Sequence, residues 1–83
     1  MAAEINEQKL SEILAMVEAE FRKASAKNDK FNSAHEGYAV MLEEVDELKE
    51  EVWKKRKLRN IELMRGEAKQ IAAMAIRFIH DLL

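Results

Sequence analysis

The sequence predicts an all-α fold, a chain of three helices, and three observations carry that prediction. Proline is absent and only two glycines occur in 83 residues, so little interrupts helical backbone. Hydrophobic residues make up 48% and charged residues 36% of the chain, the balance of a compact helical protein rather than a disordered one. Apolar residues recur three and four positions apart through three successive segments, the repeat of a helix with one buried face.

The first helix is expected from about Ala3 to Lys27, with Leu10, Leu14, Val17 and Phe21 as its stripe. Glu4 and Glu7 suit the positive end of its dipole, and Asn28 and Asp29 end the pattern. Ser33-Ala34-His35-Glu36 matches a capping box, with Ser33 as N-cap and Glu36 at N3. The second helix therefore runs from Ala34 to about Lys57, with Met41, Val45, Leu48 and Val52 inward and a basic last turn, Lys54 to Lys57. Asn60 can cap a third helix to the C-terminus. Its apolar arc is wide: Ile61, Met64, Ala68, Ile71, Ala75, Phe78 and Leu82, broadened by Leu63, Ala72, Met74, Ile79 and Leu83. Gly66 weakens helical backbone by about 1 kcal/mol relative to Ala, which makes it the place for a kink. An arc so broad is buried on several sides. Helices 2 and 3 are therefore expected to lie antiparallel and to complete a bundle by dimerisation. One domain, residues 1–83, is expected, with an N-terminal helix and loop (1–30) and a helical pair (31–83).

Several function classes are disfavoured at once. The formal net charge is −2, so no global basic field attracts nucleic acid. Cysteine is absent, which removes disulfides and thiolate metal sites. No apolar run approaches the roughly 20 residues that span a bilayer, and residues 1–10 lack a signal-peptide core; a cytoplasmic location is the expectation. The five methionines read as adaptable packing.

The carboxylates are more informative. Glu43-Glu44-Val45-Asp46-Glu47 places four acids in five positions, and Glu44 and Glu47, three apart, project from one helix face. The plain alternative is a solvated acidic face. Glu67 falls among Ile71, Met74 and Phe78, inside the apolar arc of helix 3. A carboxylate there is costly unless paired, hydrogen-bonded or metal-bound; the plain alternative is an ion pair with Lys54 or Arg59. Gln70 lies one turn further, at the arc's edge. If helices 2 and 3 pack, Glu44, Glu47, Glu67 and Gln70 converge, and oxygen-only ligands select a hard ion such as Mg²⁺ or Mn²⁺.

The pattern Glu43-Glu44-x-x-Glu47, followed by Glu67-x-x-Gln70, resembles the EExxE…ExxD metal signature of the MazG-like, all-α nucleotide pyrophosphohydrolases. The stretches from Phe31 to Val40 and from Ala68 to Phe78 look like a small bacterial and phage branch of that superfamily. The resemblance covers about Phe31 to Leu83. It implies that Glu44, Glu47 and Glu67 ligate metal, with Glu43 as a supporting acid and Gln70 in the place of the usual final Asp. It further implies hydrolysis of a nucleoside triphosphate to monophosphate and pyrophosphate. No glycine-rich phosphate loop is present, so Lys54, Lys57 and Arg59 are candidate phosphate contacts. Their plain alternative is dipole compensation at a helix end.

His35 could contact a nucleotide or help cap helix 2. Tyr38 and Trp53 could stack on a base or belong to a core or subunit interface. His80 suits the C-terminal dipole of helix 3. A non-catalytic helical oligomerisation or interaction module on the same scaffold is the competing expectation, and a nucleotide or metal sensor is a third.

Overall fold

The computed structural model describes residues 2–83 as three α-helices and one 3₁₀ turn, with no strand among the described residues. The helices are α1 (Glu7–Lys27), α2 (Ala34–Val52) and α3 (Ile61–Leu82), and the 3₁₀ turn is Arg56–Leu58. The all-α expectation is met. α3 is the central element: α2 packs along it extensively and α1 less so.

Each helix begins on a side-chain cap. α1 starts at Glu7 rather than Ala3, because Asn6 is extended and its side chain accepts the Lys9 N–H at 2.9 Å. At its other end the Asn28 N–H and side-chain amide both reach the Ala24 carbonyl, satisfying an acceptor the last turn leaves free. Ser33 Oγ accepts the Glu36 N–H at 3.1 Å, as the capping box requires. Glu36 does not return to the Ser33 amide; its carboxylate takes the Asn32 N–H at 3.0 Å and the Asn32 side-chain amide. Asn60 Oδ1 accepts the Leu63 N–H at 3.1 Å at the start of α3.

Two expectations about helix interiors change. α2 ends at Val52, five residues before Lys57, and the basic run lies in the connection. The buried Glu51 carboxylate accepts from Lys54 Nζ at 2.7 Å and from the Asn60 N–H. The chain must turn after Val52 for that amide to return to Glu51, and four consecutive cations have no apolar surface to bind another helical turn to α3. α3 in contrast runs unbroken through Gly66. A propensity loss of about 1 kcal/mol is small beside the packing of a 22-residue helix.

The core contains Phe31, Ala73 and Met74, with Phe21, Ala24, Val40, Met41 and Leu82 packed against it. Arg77 lies inside it, 4% exposed, with its guanidinium 4.2 Å over the Phe31 ring and Nη2 donating to the Asp29 carbonyl at 3.0 Å. Asp81 stands 3.8 Å from Arg77 and accepts the Phe31 N–H at 3.1 Å. Together they fasten the α1–α2 connection to α3. His80, read from the sequence as a surface residue suited to the dipole, bonds Asp81 at 2.8 Å and meets the Phe21 ring edge-on.

The α2–α3 seam closes at both ends. Asn60 at the start of α3 is tied to Glu51 near the end of α2. Phe78 near the end of α3 lies on Gly37 near the start of α2, so close that a Cβ on Gly37 would sit 2.7 Å from the Phe78 ring. Much apolar surface remains open: Leu10 and Leu14 of the α1 stripe, Val45 and Val52 of the α2 stripe, and Ile61, Leu63, Ile76 and Ile79 of α3 are exposed.

The two glycines are expected to respond oppositely to alanine. Gly37→Ala lowers the midpoint of chemical denaturation, because overpacking against Phe78 and Phe31 costs about 1–3 kcal/mol and outweighs the helix-propensity gain. Gly66→Ala, with open space around the new Cβ, raises stability by up to about 1 kcal/mol.

Candidate metal centre

α2 carries Glu44 and Glu47 one turn apart on the face toward α3, and α3 carries Glu67 opposite them. One carboxylate oxygen from each lies within 4.8 Å of the others. Glu44 and Glu67 are half-buried and Glu47 is exposed. Glu67 Oε2 is buried and has no hydrogen-bond partner. The cations that the sequence offered to Glu67 are engaged elsewhere: Lys54 pairs with Glu51 at 2.7 Å, and Arg59 Nε donates to the Val52 carbonyl at 2.9 Å. A structural ion pair therefore does not account for Glu67.

Crowding shows in the protonation equilibria. Burial pushes the Glu44 carboxyl above its ordinary 4.5, with the Glu47 and Glu43 charges adding to the rise and contact with Glu67 opposing it. Contact with Glu67, then the Glu67 charge, raises Glu47 as well. Three carboxylates without an ion pair have the donor set of a hard-cation site; Lys69 borders the same depression but stands 3.9 Å from Glu20. The orphaned Glu67 oxygen is the kind of atom a bound cation would satisfy.

Gln70 borders the same depression as Glu44, Glu47 and Glu67. Its amide nitrogen donates to Glu20 of α1, and Lys69 Nζ stands 3.9 Å from the same carboxylate. With the nitrogen on Glu20, the amide oxygen remains the ligating end. Glu43 is exposed and outside the trio, and Asp46 lies in a separate depression with Lys49, Glu50 and Trp53.

A cleft of about 680 Å³ adjoins the trio and shares Glu44 and Gln70 with it. Lys54, His35 and Tyr38, the sequence-derived substrate contacts, do not line it; nor do Lys57 and Arg59. His35 and Tyr38 are exposed on the first turns of α2. Trp53 is 77% exposed, with Lys49 Nζ 5.3 Å from its ring centroid. The cleft instead presents Lys23, Lys27 and Lys30, from the end of α1 and the connection after it. Sequence reading passed over these lysines and Glu20. The available signal for Glu20 was its place beside Phe21 and three positions from Val17, at the border of the α1 stripe.

No protein-family model matches this chain, and neither a curated protein nor a solved structure is detectably similar to it.

In EDTA, stability is expected to pass through a maximum on the acidic side of neutrality. Glu44 and Glu47, raised in the fold, bind protons more readily folded than unfolded, so stability grows as pH falls through their folded values toward the ordinary 4.5. Glu51 is lowered by Lys54 and the Asn60 amide, and Asp81 by His80, then the Phe31 amide. Their contribution is complete above the ordinary values of 4.5 and 3.8 and is lost as pH falls through the folded ones. Thermal melts from pH 3 to 8 read this. Glu67→Gln removes the Glu47 share of the upper limb, keeps the burial-driven Glu44 share and leaves the lower limb.

Proposed function

We propose that the protein is a Mg²⁺- or Mn²⁺-dependent nucleoside triphosphate pyrophosphohydrolase, or a minimal relative of one, acting at Glu44, Glu47, Glu67 and Gln70. The observation that carries this reading is the meeting of three carboxylates from two helices around a buried, unpartnered oxygen of Glu67. The resemblance of Glu43-Glu44-x-x-Glu47 and Glu67-x-x-Gln70 to the MazG-like signature supplies the reaction class.

Glu44, Glu47 and Glu67 would hold the ion, and the Gln70 amide oxygen completes the set. Such an ion supplies charge neutralisation for a phosphate chain and a more acidic water. The protein's own part is to orient that water. A carboxylate of the trio would accept the proton of a water as the water oxygen bonds to the α-phosphorus and the α–β phosphoanhydride bond breaks to release pyrophosphate. Glu43, on the exposed side of the trio, is placed to support this group electrostatically. Gln70 carries no charge where the signature has Asp, which weakens attraction for the ion; the hydrogen bond its amide nitrogen donates to Glu20 keeps the side chain in place.

We read α2 and α3 as antiparallel, supported by the Glu51–Asn60 and Gly37–Phe78 contacts at opposite ends of the pair. A homodimer covering the exposed apolar residues of α1 and α3 follows the same reasoning, as does a cytoplasmic location. These apolar faces also favour a second reading, a non-catalytic helical assembly module.

The test is pyrophosphate release from a nucleotide panel with Mg²⁺ or Mn²⁺. Release is expected from at least one nucleotide, with a metal-dependent rise in melting temperature. Glu67→Ala abolishes both, while Gln70→Asp strengthens metal binding. Under the assembly reading no nucleotide is cleaved, metal leaves the melt unchanged, and Glu67→Ala raises stability by removing a half-buried charge.

A further inference from the structure

We propose that Lys23, Lys27 and Lys30 make the cleft beside the acidic trio a binding site for a linear polyphosphate anion, the triphosphate chain of a nucleotide. The phosphate contacts then come from α1 and the connection after it, not from the cationic run between α2 and α3. Placing this anion at the reacting centre rests on the function proposed above; the lysine contacts stand without it.

The argument begins with unspent charge. Among the described residues, Lys54, Lys69, Arg22, Arg65, Arg77 and His80 have a carboxylate within 4.0 Å; the other lysines and arginines have none, and of those Lys23, Lys27 and Lys30 line this cleft. Lys23 and Lys27 are one turn apart on α1, so they share a face, and Lys30 follows just beyond the helix end. All three line the same cleft. The acids of that wall are largely engaged: Glu20 accepts from Gln70, Glu36 from Asn32, and Glu44 belongs to the trio. Asp29 is the remaining acid of the wall.

The position of the lysines fits a chain better than a single phosphate. Three flexible ammonium groups on one wall, with Glu44 at the shared border, match charges spread along several phosphates. An ion on the trio would meet that chain at the shared border. Compensation of the α1 dipole explains Lys27 in the last turn, but the effect fades within that turn and leaves Lys23 unexplained. Arg77 lines the same cleft, but its Nη2 is engaged by the Asp29 carbonyl and Asp81 and its unpartnered Nε is buried. It acts as wall, not as a phosphate contact.

Isothermal titration calorimetry with inorganic tripolyphosphate tests this in EDTA and again in Mg²⁺, at low salt. The wild-type protein is expected to bind in both conditions, more tightly with Mg²⁺. The triple variant Lys23→Gln/Lys27→Gln/Lys30→Gln is expected to bind at least about tenfold more weakly, since it loses every charged contact the lysines make to the phosphates. Its circular dichroism and its Mn²⁺ affinity by electron paramagnetic resonance stay unchanged. Lys23→Gln alone, outside the last turn of α1, gives a smaller loss in the same direction and covers the case in which the triple variant fails to fold. Undiminished affinity in these variants overturns the proposal. So does a wild-type protein that ignores millimolar tripolyphosphate, or a loss produced instead by Lys54→Gln/Lys57→Gln/Arg59→Gln. Lysine-dependent binding without any Mn²⁺ affinity removes the metal reading and leaves the cleft. Mn²⁺ affinity without lysine-dependent binding does the reverse.

Discussion

The seam between α2 and α3 is the constraint on which the rest depends. It is pinned where the Asn60 amide meets Glu51 and where Phe78 lies on Gly37. Between those pins the two helices have no freedom to slide, because a shift of one residue on either helix rotates its side chains by about 100°. Glu44, Glu47 and Glu67 therefore meet as a consequence of contacts made elsewhere along the seam. The absent Cβ of Gly37 sets how near the helices come, and the charge on Glu51 sets where α3 begins.

Charge allocation follows from that geometry. A half-buried carboxylate normally takes the nearest cation, and the chain has 14 basic residues to offer. The two cations the sequence offered to Glu67 are drawn away, Lys54 to Glu51 and Arg59 to the Val52 carbonyl. Both bonds form at the connection between α2 and α3. The same turn thus leaves the acidic trio unpaired with either cation, and Lys69, which borders its depression, stands nearest Glu20. Burial and mutual repulsion then raise the carboxyls of Glu44 and Glu47.

α1 has a different part. Only Val17 of its stripe is buried, and Leu10 and Leu14 remain open. What holds it is the core around Phe31, with Phe21 and Ala24 packed in, and the Arg77–Asp81 pair gripping the connection that follows. In that position α1 presents Glu20 to Gln70 and its lysines to the neighbouring cleft. A chain of this size buries a modest share of its surface, and apolar residues of α1 and α3 accordingly stay exposed.

Periodicity and capping chemistry are local properties. The sequence by itself therefore determined three helices, their N-caps at Ser33 and Asn60, and the common face of Glu44 and Glu47. It also marked Glu67 as a carboxylate on an apolar arc. Where helices stop is less local. α2 ends at Val52 because Glu51 is needed by an amide nine residues away, and α3 runs through Gly66 because its packing outweighs one weak residue. Partner choice is not local at all. Glu20 meets Gln70 and Asp81 meets the Phe31 amide across fifty positions of chain, and no spacing rule links residues so far apart. Only the tertiary structure decided which cations the buried acids received, because in a folded chain each charge pairs with what packing brings near it.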